Sequence, residues 1–202
     1  MRRYRSGSEE EMVALFLRTE ISAERYRACL LECVSEASLS ERIITEPDLS
    51  DAAENRARRE LLGRHRGYGR DEDYFEGFPA DLRWEWEALT PEELAGVRYI
   101  DYDYWVELSG GSRLPTDAIP RIHADVAPFG VSSEWAPRLA DAIAAGADIP
   151  PLIFVAPQEE GEMVVLEGHA RLTAYLLRPE ALPTELLVLV GYSPEIVYWG
   201  LY

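Results

Sequence analysis

The stretch Val164-Val165-Leu166-Glu167-Gly168-His169-Ala170-Arg171-Leu172-Thr173-Ala174-Tyr175-Leu176-Leu177 decides how this chain is read. A short apolar run ends at an acid, a glycine turns the chain, and a helical pattern follows at once. Such a strand–turn–helix gathers a carboxylate, an imidazole, a guanidinium and the free N–H groups of a helix start. These are the parts that hold a phosphate or a metal–phosphate complex.

Working outward, Ser133 to Ile143 reads as a helix capped by Ser133 and ended near Gly146. Ile149–Val155 and Met163–Leu166 read as strands, and so does Leu186–Val190 beyond the breaks at Pro179 and Pro183. These apolar runs lack polar alternation, so the strands are expected to be buried on both faces. Upstream, residues 1 to about 65 read as three helices: one capped by Ser8, one by Ser22, and one by Ser50 that ends near Gly63. Thr90 and Pro91 open a short helix. Residues 74–110 are rich in aromatics, which suit either a pocket lining or a core and subdomain contact.

The order from Trp135 to Val190 resembles the ParB/sulfiredoxin-like fold. The resemblance rests on Leu139-Ala140-Asp141-Ala142-Ile143, on Ile149-Pro150-Pro151-Leu152-Ile153-Phe154-Val155, and on Val164 to Ala174. It covers about the C-terminal 90 residues. It implies an α+β domain with a small mixed sheet and packed helices over 96–202, preceded by a helical, aromatic-rich region over 1–95.

Sulfiredoxins carry a cysteine directly after the motif glycine. This chain has His169 there, so the resemblance implies no thiol chemistry. The DNA-segregation members carry Gly-Glu-Arg-Arg and an added DNA-binding domain, whereas here the motif is Gly168-His169-Ala170-Arg171. The form acid-Gly-His-Thr-Arg of the family's free-serine kinases is the most similar, with Glu167 in place of aspartate and Ala170 in place of threonine. The resemblance therefore implies a nucleotide-binding enzyme, an ATP- and Mg²⁺-dependent small-molecule kinase or phosphotransferase. Glu167 and His169 would be its catalytic residues, Glu167 its metal ligand, and Gly168, His169, Ala170 and Arg171 its phosphate-binding turn. An upstream acid, Asp125 or Glu134, would complete the site.

The residues also allow plainer roles. Glu167 and Arg171 lie four apart and can pair with each other, and His169 can be structural. A non-enzymatic interaction protein that keeps the fold is the alternative reading. A ParB-like nuclease or DNA-binding factor using the Arg56–Arg70 cluster is the third.

Composition narrows these choices. Thirty-seven acids against 20 basic residues give a formal charge of −17, which opposes nucleic-acid binding. The chain has no lysine, so a Walker-type phosphate loop and a lysine Schiff base are both excluded. No apolar run is long enough for a membrane span, and the basic start lacks the apolar region of a signal peptide. The expectation is a cytoplasmic protein with a small-molecule substrate and no membrane partner. Cys29 and Cys33 are expected to be buried apolar thiols, since a zinc site would have to recruit histidines from afar.

Overall fold

The computed structural model describes residues 1–202. In chain order the elements are β1 (Arg2–Ser6), α1 (Glu9–Ser22), α2 (Glu24–Glu36), α3 (Arg42–Thr45), α4 (Ala52–Arg66), β2 (Arg83–Leu89), α5 (Pro91–Ala95), α6 (Asp103–Leu108), α7 (Pro115–His123), α8 (Trp135–Ala144), β3 (Ile153–Ala156), β4 (Val164–Glu167), α9 (His169–Leu177) and β5 (Leu186–Tyr192). The class is α+β.

The five strands form one mixed sheet in the order β1-β2-β5-β3-β4. Strand β5 runs parallel to β3 and antiparallel to β2; the β1–β2 and β3–β4 pairs are antiparallel. Two of these strands, β1 and β2, come from the region expected to be helical. Strands from both sides of residue 95 therefore share a single sheet, and the N-terminal part is not a separate helical unit.

The apolar runs are explained by a core on each face of the sheet. Ile153, Val155, Val164, Leu166 and Leu189 pack with Met12, Phe16 and Leu17 of α1, Leu30 of α2 and Leu61 and Leu62 of α4. The alternate residues Phe154, Val165, Val188 and Val190 pack with Leu172, Tyr175 and Leu176 of α9. Each such side chain contributes about 1.5–3 kcal/mol when fully buried. Polar alternation is absent because neither face meets water.

Several helix boundaries follow local chemistry that differs from the expected caps. Ser8 caps α1 as expected, accepting from the Glu11 N–H beside three acids that favour a helix start. Ser22 instead closes α1, donating to the Arg18 carbonyl, and extended Ala23 turns the chain into α2. Asp51, not Ser50, caps α4, accepting from Ala53 and Glu54. Helix α4 runs past Gly63 to Arg66, because the residue in the left-handed conformation is Gly67 at φ 82°. Glu134 precedes α8, and Ser133 supplies only its carbonyl, to Ala136. Thr90 and Glu93 form the capping box of α5 with Pro91 at its start.

The aromatic segment is core and seam. Tyr74, Phe75 and Phe78 meet edge-to-face, and Trp199 joins them from the C-terminus. The thiols are less buried than expected: Cys29 is exposed and Cys33 half-buried. No helix is long and apolar enough to cross a membrane.

Candidate functional site

Gly168 takes φ 115°, a value that strains any L side chain, and so turns β4 directly into α9. That turn places Glu167 at the strand end and Arg171 one helical turn later. The two pair at 3.2 Å, and both are largely buried. The Arg171 guanidinium also donates to the carbonyls of Pro150 and Pro151, the latter at 2.9 Å, and to Thr19 Oγ1 at 3.2 Å. Arg171 is thereby committed to internal acceptors on α1, on the segment before β3 and on the turn itself. A Cβ built on Gly168 would lie 2.5 Å from Leu152 Cδ2 and 3.1 Å from Arg171 Nη2. The close approach that glycine permits is made by the protein's own side chains.

Other titratable groups meet Glu167 from the opposite layer. Glu20 of α1 is 1% exposed and accepts from His65 Nε2 at 2.8 Å; Arg66 Nε lies 3.7 Å from its other oxygen. The Arg66 guanidinium sits between the rings of Tyr26 and Tyr74, 4.8 Å from each centroid, and its Nε has no hydrogen-bond partner. Tyr74 donates to the Leu166 carbonyl at 2.6 Å, next to Glu167. Burial, with the Glu20 charge adding to it, pushes the Glu167 carboxyl up to about 7 despite the opposing pull of Arg171 and Arg66. This is a carboxyl poised to exchange a proton near neutral pH.

His169 behaves differently. Its ring stacks on Trp105, with centroids 5.1 Å apart and planes 16° apart, and Trp105 stacks in turn on Tyr99. Burial, reinforced by the Arg171 and Arg66 charges, lowers its pKa to about 3. The imidazole is neutral at physiological pH and cannot act as an imidazolium proton donor. Its buried Nε2 has no partner within the chain.

The structure brings together Glu167, Gly168, His169 and Arg171 with Arg66 of the arginine cluster. Arg58, Arg59 and Arg64 of that cluster are engaged elsewhere. Arg58 is fully buried and donates to the carbonyls of Ile43 and Asp48, to Glu54 and to Asn55; Arg59 pairs with Glu9, and Arg64 with Glu60. Of the upstream acids, Glu134 pairs with Arg138 at 2.8 Å on an exposed helix start, and Asp125 is exposed in a left-handed turn. The acid that acts on Glu167 is Glu20, which the sequence reading overlooked. Its signal lies in α1: it falls on the same helical face as Val13, Phe16 and Leu17, where a charge is out of place without partners.

Magnesium does not suit Glu167. The carboxylate already faces two guanidinium groups, and Glu20 is engaged by His65 and Arg66. A hard divalent cation needs free oxygen ligands and keeps several waters. A cleft of about 510 Å³ lies elsewhere, lined among others by Arg3, Glu9, Arg83 and Glu85, and includes none of the turn residues. Comparison with protein-family models, with curated proteins and with solved structures finds no match.

Proposed function

We propose that this chain is a nucleotide-dependent phosphotransferase acting on a small molecule, with its reacting centre at the Glu167 turn. The observation that carries this reading is a buried carboxyl held near neutral pH beside a helix start, a free-edged guanidinium and an orphaned imidazole nitrogen. In this scheme Glu167, as the carboxylate, accepts the proton of the substrate hydroxyl while that oxygen forms its bond to the γ-phosphorus of a nucleoside triphosphate, and the bond from that phosphorus to the β–γ bridging oxygen breaks to release the nucleoside diphosphate. The N–H groups at the start of α9 and the Arg66 guanidinium offset the phosphoryl charge. Arg171 positions Glu167 and holds α9 to α1 and to the Pro150–Pro151 segment. His169 offers its Nε2 lone pair to a donor on the substrate, as a neutral ring.

Differential scanning fluorimetry with ATP, ADP, CTP and GTP tests this reading. A nucleotide at about one hundred times its Kd adds about 2.7 kcal/mol, which raises the Tm of a chain this size by roughly 5–10 °C. Arg66→Ala should reduce that rise, and Glu167→Gln should keep the rise while abolishing turnover. No stabilisation by any of the four sinks the proposal.

A second reading is favoured by the inward commitment of Arg171 and the tight packing at Gly168. In it the turn is a structural latch in a non-enzymatic interaction protein. A stable partner retained by both Glu167→Ala and Arg171→Ala variants would support it.

A further inference from the structure

Helices α2 and α4 carry a second group of side chains that the turn chemistry does not use. Cys29 and Cys33 lie one turn apart on α2, and His65 lies in the last turn of α4. Their Sγ and imidazole nitrogen atoms all lie within 4.8 Å of one another. A tetrahedral zinc centre has Zn–S of about 2.3 Å and Zn–N of about 2.0–2.1 Å, so its ligand atoms stand about 3.6–3.8 Å apart. Reaching that spacing from 4.8 Å asks for shifts of about an ångström in the ligand atoms.

The imidazole is already arranged as a ligand. The His65 side chain is 2% exposed, and its Nε2 is held at 2.8 Å by Glu20, a carboxylate that can only accept from it. With Nε2 turned to the carboxylate, Nδ1 is the ring nitrogen left to bind a metal. Nδ1 is buried and has no hydrogen-bond partner. An unpartnered, buried ring nitrogen on a histidine grouped with two thiols is a polar atom that a metal ion would satisfy. The carboxylate behind the ring is the partner that metal-bound histidines commonly have. Arg66, beside the other Glu20 oxygen, balances that carboxylate from outside the ligand set.

We propose that Cys29, Cys33 and His65 form a zinc site with Glu20 behind the imidazole and a fourth position open to solvent. Two thiolates and one neutral imidazole match the soft-to-borderline donor set that selects Zn²⁺ over Mg²⁺ or Ca²⁺. Two thiolates also cancel the ion's charge, so the centre is electrically neutral. Binding releases the two thiol protons to solvent. Cys29 is exposed, so solvent and metal can reach the cluster from its side of α2. The ion would clamp α2 to α4 at the point where α4 delivers His65 and Arg66 to Glu20.

The test uses the full chain, reduced and stripped of metal with a chelator. Zn²⁺ is titrated in competition with a chromogenic chelator, and Co²⁺ is used as a spectroscopic probe. The expected result is one ion per chain, with the thiolate-to-cobalt charge-transfer and tetrahedral d–d bands. Glu20→Gln should weaken binding by about 10–100-fold, and Cys29→Ser by more than that. Because Cys29 is exposed, its serine variant keeps the core, and circular dichroism checks this for each protein. Absence of binding to the reduced chain overturns the proposal. So does unchanged affinity in Cys29→Ser, or a cobalt complex without thiolate bands.

Discussion

Replacing Glu167 with glutamine turns the contest between burial and ion pairing at the motif into a measurable slope. Burial raises the folded carboxyl from 4.5 to about 7, against the pull of Arg171 and Arg66. Between those two values the unfolded chain has released the proton and the folded chain has kept it. Rising pH therefore favours the unfolded state by about 1.4 kcal/mol per pH unit, and the loss totals about 3 kcal/mol by pH 7. Glutamine occupies nearly the same volume, still accepts from Arg171 Nη2, and does not titrate. Relative to the native chain, Glu167→Gln should gain about 2 kcal/mol between pH 5.5 and 7, then level off above pH 8. Urea unfolding followed by tryptophan fluorescence, run on both proteins at half-unit pH steps, isolates this difference because other groups cancel in the subtraction. A flat difference would mean that Glu167 is not desolvated as described. A difference that falls with pH would mean that Arg171 outweighs burial and holds the carboxyl ionised. Either result removes Glu167 as a neutral-pH proton acceptor.

Three further outcomes follow from the same geometry. His169 carries the opposite sign: its folded pKa of about 3 lies below its ordinary 6.5, so its contribution is complete above 6.5 and is lost as pH falls toward 3. His169→Phe, which keeps the stack on Trp105, should flatten acid unfolding over that window in the same urea assay. Arg171→Ala should destabilise by about 3–5 kcal/mol, because it leaves Glu167 and two proline carbonyls without their donor, and Arg171→Lys should recover only part of this in thermal melts. Gly168→Ala should cost at least about 1–3 kcal/mol from the φ of 115° alone, with the contact to Leu152 added; melting unchanged from the native chain would refute that backbone assignment.

The C-terminal order of elements was legible because each carries its own local signal. Unbroken apolar runs marked β3, β4 and β5, and the glycine with a following helical period marked α9. The turn that these place together was legible for the same reason. Strands β1 and β2 were not. Arg2–Ser6 is an exposed polar edge with no apolar alternation, and Trp84-Glu85-Trp86-Glu87 alternates an aromatic with an acid yet buries both faces. Glu85 sits against Arg3 and Arg83, and Glu87 accepts from Tyr192 at 2.7 Å. A strand of this kind is recognised only once its partners are known.

The site shows the same division more sharply. The sequence proposes Glu167 through Arg171 as one local motif, but the state of each member is set by residues about 65 to 150 positions away. Thr19 takes a donor of Arg171, Glu20 adds to the burial that raises Glu167, and Trp105 encloses His169. Spacing within the motif cannot report whether an arginine faces a ligand or a proline carbonyl. Glu20 is the residue through which this matters most. It accepts from His65 on one side and acts on Glu167 on the other, so one carboxylate couples the α2–α4 thiol cluster to the β4–α9 turn. Glu20→Gln is therefore the single change that should weaken zinc binding and also lower the Glu167 pKa. An unchanged zinc affinity in Glu20→Gln removes Glu20 from the thiol cluster, and an unchanged Glu167 titration removes it from the turn.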